Sequence, residues 1–153
     1  MPVGTTVYLD GPHGAFTHVG REPGPLVLIA GGVGFAPVMS ILRQLRDEGW
    51  PHPVTLIYGN RVASQILYRD EIAAMADALD LSAHLVLSEP PEHWSGPTGE
   101  LTLQVLSSCL EPLEPKALYF VCGPTPMMDS VERSLVALGV PPSRIVSERF
   151  KYD

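Results

Sequence analysis

The sequence predicts an α/β fold, a Rossmann-like doubly wound five-stranded parallel sheet flanked by helices. Three observations carry that expectation. Short aliphatic runs alternate with stretches of helical periodicity, the runs are apolar on consecutive positions as in strands buried on both faces, and the first four lead into glycine or proline. At 153 residues, 45% hydrophobic and 18% charged, the chain has room for one ordinary domain with its own core.

Leu26–Ile29 is the first strand and runs into Ala30-Gly31-Gly32-Val33-Gly34. Its glycines permit a tight turn with backbone N–H groups free toward a ligand. A helix follows from near Phe35, with Val38, Ile41, Leu42 and Leu45 on one face and Gly49 as its C-terminal cap. Val54–Tyr58 is the second strand, and Asp70–Leu79 a helix that buries Ile72, Met75, Ala76 and Leu79. The third strand, Ala83–Leu87, ends at Ser88-Glu89-Pro90-Pro91, and a loop through Trp94 and Gly96–Gly99 leads to a helix over Leu101–Cys109. Trp94 is expected as a lid or a loop anchor.

Ala117–Val121 is the fourth strand, followed by Cys122-Gly123-Pro124. Thr125 is expected to cap the fourth helix, with Pro126 at its first position and Val131, Leu135 and Leu138 as its apolar stripe. Arg144–Glu148 completes the sheet. The opening segment, Met1–Gly20, falls outside this alternation: Thr6–Leu9 reads as a strand and Gly11–Phe16 as a tight loop with no helix after it. It is either an arm lying on the domain or the last strand of another domain.

Sheets of this kind bind ligands beyond the carboxyl ends of their strands. A strand, a glycine turn and a helix N-terminus converging at Gly31–Pro37 suit a phosphate, because the helix dipole and free N–H groups both favour an anion. A net charge of −7 argues against a nucleic-acid partner. No apolar run approaches the roughly 20 residues of a membrane span. The two cysteines, Cys109 and Cys122, are far apart and the five histidines lack ligand spacing, so no metal site is expected and the reducing cytoplasm is the expected compartment. Cys109, among Leu106 and Leu110, reads as core.

Taken together, the segments at the strand ends resemble the ferredoxin–NADP reductase superfamily, specifically its C-terminal nicotinamide-nucleotide domain. Gly11-Pro12-His13-Gly14-Ala15-Phe16 resembles the GPxGxF element that closes the family's flavin-binding barrel. Gly31-Gly32-Val33-Gly34-Phe35-Ala36-Pro37 resembles its GGxGxxP pyrophosphate loop, Tyr58-Gly59-Asn60-Arg61 its YGxR turn, and Cys122-Gly123-Pro124-Thr125-Pro126-Met127-Met128 its CGPxxMM segment. Glu148-Arg149-Phe150 is similar to the acidic-x-aromatic tail near the flavin, though Lys151-Tyr152-Asp153 extend it.

The resemblance implies a flavin-dependent oxidoreductase that takes hydride from NAD(P)H to FAD or FMN and delivers electrons to an iron–sulfur protein, a haem domain or ferric iron. The flavin would be bound mainly by an upstream domain, leaving residues 1–20 as a remnant of its barrel and 21–153 as the NAD(P)-binding domain, inactive when isolated. By the same resemblance Gly31, Gly32, Val33, Gly34 and Pro37 hold the pyrophosphate, and Gly59, Asn60, Arg61, Ser88 and Glu89 contact the nucleotide. Cys122, Gly123, Pro124 and Met127 face the nicotinamide. Cys122, Glu148 and Phe150 are the expected catalytic residues, and a branched residue at Gly34 is expected to block binding without unfolding the domain. Glu89 and Glu92 after Ser88, with no cation close behind, favour NADH, since a 2′-phosphate would be repelled. The alternatives are a regulatory or electron-transfer subunit that binds NAD(P)H and docks on a separate flavoprotein, or a domain for another phosphate ligand.

Overall fold

A computed structural model describes residues 2–6, 8, 14–114 and 116–149. Its centre is β1, Leu26–Gly31, six consecutive buried residues hydrogen-bonded on both sides. β2 (Val54–Asn60) flanks it on one side and β4 (Leu118–Cys122) on the other. β3 (Leu81–Leu87) and β5 (Ile145–Glu148) form the edges, giving the parallel order β3-β2-β1-β4-β5. The order in which successive strands are laid down reverses between β1 and β4, and the register sets Ala30 beside Tyr58 and Cys122 and Gly31 beside Gly59. The strand ends that the sequence marks as unusual therefore meet along one side of the sheet.

Alternation along the strands divides the core in two. Leu26, Leu28, Leu56, Phe120 and Cys122 face one layer, with α1 (Phe35–Glu48) and α2 (Arg69–Met75) packed over them. Val27, Ile29, Ile57 and Val121 face the other, covered by α3 (Leu103–Cys109) and α4 (Thr125–Ala137). The first layer is locked by the stacked rings of Phe35 and Tyr58, with centroids 3.9 Å apart and planes 10° apart.

All four apolar positions expected on α1 are buried, and Gly49 closes it in the left-handed region at φ 63°. Three other expectations change. α2 stops at Met75, where Ala76 and Asp77 donate to the carbonyls three residues back. That tighter winding turns Ala76 to solvent while the Leu79 N–H still reaches the Met75 carbonyl and Leu79 stays buried. Thr125 is inside α4 rather than its cap: Pro124 holds the cap position, with no side-chain hydrogen bond there. The third helix starts at Leu103 rather than Leu101, because Thr102 caps it, its hydroxyl accepting from the Val105 N–H at 3.5 Å.

No strand includes Thr6 or Tyr8, and the rest of the expected N-terminal strand and Gly11–His13 lie outside the described residues. An isolated strand without a sheet partner is not a stable unit. Residues 14–20 instead lie against the α1 layer, with the Phe16 ring edge-on to Phe120 at 5.3 Å and His18 buried against Glu48 at 2.9 Å. Arg21 braces this segment by donating to the carbonyls of Ala15 and Thr17. Trp94 is an anchor for its own loop: its indole N–H donates to the Pro97 carbonyl, and a Cβ on Gly96 would lie 2.8 Å from its ring.

Between β1 and α1, residues Gly32–Gly34 form a single 3₁₀ turn. Gly34 is buried at the close of that turn, and a Cβ there would collide with the carbonyl of Cys122 and the amide nitrogen of Gly123. The expectation of a binding-only defect at Gly34 is thereby corrected, because its missing side chain is what lets the helix start pack on backbone that cannot yield. Gly34→Ala is expected to cost about 3 kcal/mol or more. Urea denaturation measures this, and an unchanged midpoint would contradict the packing described.

Candidate functional site

A cavity of about 410 Å³ opens at the carboxyl ends of the strands, within the size range of small-molecule sites. Gly31 and Gly32 form one wall. Gly32 sits at φ 51° with open space where a Cβ would project, so a ligand can approach its backbone closely. Opposite, Gly59, Asn60 and Arg61 leave β2, and Ser88 leaves β3. Pro124 and Met127 close the α4 side. These eight sequence-predicted residues come together on one surface.

The other predicted residues do not line it. Val33 is exposed beyond the turn, and Pro37 is half-buried within the first turn of α1. Gly34 and Gly123 are occupied with packing, Gly123 beneath the methyl of Met127 at 2.6 Å from where a Cβ would be. Glu89 is exposed, its N–H donating to the Arg61 carbonyl at 2.8 Å. Phe150 lies outside the described residues.

Sequence reasoning missed Gln65, Gly99, Glu100, Leu101, Pro126 and Ser130. The loop 97–99 reaches the cavity because Thr98 bridges to Leu87 and the Gly99 N–H donates to the Leu87 carbonyl at 2.8 Å. Leu101 then packs on Gly59, 3.2 Å from where its Cβ would be. The Ser130 hydroxyl makes a long 3.5 Å contact to the Leu101 carbonyl. Gly59 before a loop was a legible sign of close approach, but not of which residue approaches.

The donor set suits an anionic, hydroxyl-bearing ligand. Arg61 supplies a guanidinium with no carboxylate within 4 Å among the described residues. The Asn60 side-chain nitrogen is buried beside the Tyr58 hydroxyl rather than exposed in the cavity. The first N–H of α1, on Phe35, is already taken by the carbonyls of Gly32 and Val33 in the preceding turn. A second cavity, about 330 Å³, lies under Trp94 between Arg69, His84 and His93, and has no such glycine wall.

Cys122 and Glu148 are register partners on β4 and β5, on the face that carries Phe120 and Val146. The thiol is fully buried. Burial first, and the Glu148 carboxylate second, push its pKa from 9.0 up to about 11. At neutral pH it is a neutral thiol and not a nucleophile. The following residue, Arg149, donates to Asp129 at 2.7 Å and to Glu132 at 3.0 Å, and the Ser147 hydroxyl donates to Glu132 at 2.7 Å. The end of β5 is thus stapled to the helix whose first turns line the cavity. The spacing of Asp129 and Glu132, i and i+3 on α4, was the available signal.

The sequence profile of the oxidoreductase NAD-binding domain family matches residues 28–133. The chain belongs to that family. An NADH-cytochrome b5 reductase 1 from Scheffersomyces stipitis is 34% identical over 149 residues, covering 95% of this NAD-binding domain and 52% of the relative. The propane 2-monooxygenase reductase component of Rhodococcus jostii is 33% identical over 154 residues, covering 98% and 42% respectively. Among solved structures, the CS-b5R domains of human Ncb5or in an NAD⁺ form superpose with a TM-score of 0.76 at 29% identity, over 90% of this chain and 39% of that one. The NAD-binding domain therefore spans about half the length of the curated relatives it matches. The fold and family expected from the strand-end motifs are those found.

The Cys122 environment has a pH signature. The folded state holds the thiol proton to higher pH than the unfolded chain does, so its stabilising contribution is complete below pH 9 and is lost as pH rises toward 11. In a Cys109→Ser background, thiolate absorbance should titrate near the upper value, and Glu148→Gln should lower it. A thiol titrating at its ordinary value would refute the buried pair.

Proposed function

We propose that the cavity binds NAD(P)H, with NADH favoured, and that the domain serves a flavin-dependent oxidoreductase whose flavin-binding half precedes it, residues 1–20 being the end of that half. The observation that carries this reading is the open backbone of Gly32 facing an uncommitted arginine, Arg61, across a cavity at the sheet's switch point. The chemistry supplied when the cofactors are bound is hydride transfer from NAD(P)H to FAD or FMN, then electron delivery to an acceptor. Membership in the family and the reductase names of its relatives support this.

The chain's own residues position the cofactor. Gly32 would admit the pyrophosphate to the backbone, with Gly31 packed under Met127 beside it, and Arg61 and Asn60 would donate to its oxygens or to the adenosine half. Ser88 contacts the ribose, while Pro124 and Met127 wall the approach to the nicotinamide. Cys122, kept neutral by its surroundings, offers shape and a weak S–H donor rather than covalent chemistry. Glu148 holds a carboxylate beside it, where it accepts from the nicotinamide amide or relays a proton, and Phe150 would contact the flavin. The acceptor is an iron–sulfur protein, a haem domain or ferric iron.

Gly32 separates binding from folding where Gly34 does not. Gly32→Ala places its methyl in open space, at a backbone strain of roughly 1 kcal/mol, or about 2–4 °C in melting temperature. The same methyl should weaken NADH by about tenfold or more in a fluorescence titration, since the phosphates would lose close backbone approach. Unchanged NADH affinity in that variant, or no NADH binding by the parent chain, would sink the assignment. In the full-length protein, anaerobic NADH should bleach the flavin absorbance. Normal nucleotide binding with no bleaching would instead favour a regulatory subunit.

A further inference from the structure

Among the described residues, the cavity wall has only two ionisable members, Arg61 and Glu100. The carboxylates that the sequence suggests for coenzyme choice, Glu89 and Glu92, are exposed and do not line the cavity. Glu100 reaches it because both its neighbours are fixed. Gly99 is tied to the end of β3, one residue before Ser88, and Leu101 is buried against Gly59 at the end of β2. Among the described residues Glu100 has no salt-bridge partner, so its carboxylate is uncommitted, as is the guanidinium of Arg61.

We propose that Glu100 is the residue that selects an unphosphorylated adenosine ribose, with Arg61 as its counter-charge. This rests on the cavity being the dinucleotide site. A carboxylate only accepts hydrogen bonds, and ribose hydroxyls donate them, so the two match. A 2′-phosphate offers only acceptors and carries about −1.5 to −2 charge, taking a protein phosphomonoester as guide, so Glu100 repels it. Removing that carboxylate takes away the repulsion and leaves Arg61 to pair with the phosphate through a two-point contact. Ser88, Asn60 and Gln65 at the same end are neutral and discriminate by charge in neither direction.

Titrating the chain with ADP-ribose and with 2′-phospho-ADP-ribose tests this without any turnover. The parent chain should bind ADP-ribose more tightly. Glu100→Gln should shift the ratio of the two affinities by roughly tenfold, the weight of one charge-assisted hydrogen bond, chiefly by tightening the 2′-phospho ligand. Adding Arg61→Ala should abolish that gain. Glu100 is exposed, so its variant should melt as the parent does. A ratio unmoved by Glu100→Gln, or moved instead by Glu89→Gln or Glu92→Gln, overturns the assignment of Glu100 while leaving the nucleotide site intact. Failure of the parent chain to bind either ligand overturns both.

Discussion

The rest of this molecule depends on how closely the start of α1 lies on the end of β4. Because Gly34 has no side chain, the turn after β1 rests directly on the backbone of Cys122 and Gly123. This contact closes the switch point from the α1 side and holds the ends of the two central strands at a set spacing. Met127 completes the closure from α4, its thioether lying over both Gly31 and Gly123. The cavity is what remains between these fixed parts and the turn after β2. Position is thus set by backbone against backbone, which is stiffer than any arrangement of flexible side chains.

That construction explains what was legible in the sequence. The central strands were readable because β1, β2 and β4, buried along most of their length, leave a nearly continuous apolar signal, and α1 because Val38, Ile41, Leu42 and Leu45 repeat without interruption. The end of α2 was not, since Ala76 is as good a helix former as any and only a tightening of the turn removes it from the core. Thr125 looked like a cap because its residue type favours that position, yet the preceding proline already holds the extended geometry that a cap requires.

The glycines of the cavity were legible as a group but not by task. Gly32 lies open at positive φ, Gly34 is closed by backbone, and Gly59 by Leu101, three different reasons for one residue type. Nothing in a motif distinguishes them. Glu100 and Ser130 were hidden for another reason: they arrive through long-range ties, the Leu87–Thr98 bridge and the contact to Leu101, that no local pattern encodes. Arg149 likewise acts across 17 and 20 residues of sequence, joining the end of β5 to α4. The helix that borders the cavity and the strand that carries Glu148 therefore move as one body.

The Leu87–Thr98 bridge has a bearing on solubility as well. β3 is an edge strand, and the free amides and carbonyls of an edge invite pairing with another chain. Here the loop seals the edge at Leu87, the end richest in buried apolar residues, and leaves outward only the stretch that carries Ser82 and His84. At the opposite edge β5 is only four residues long and leads into a charged arginine. The loop that delivers a carboxylate to the cavity is thus also a guard against sheet-to-sheet aggregation, and shortening it would expose the most adhesive part of the molecule.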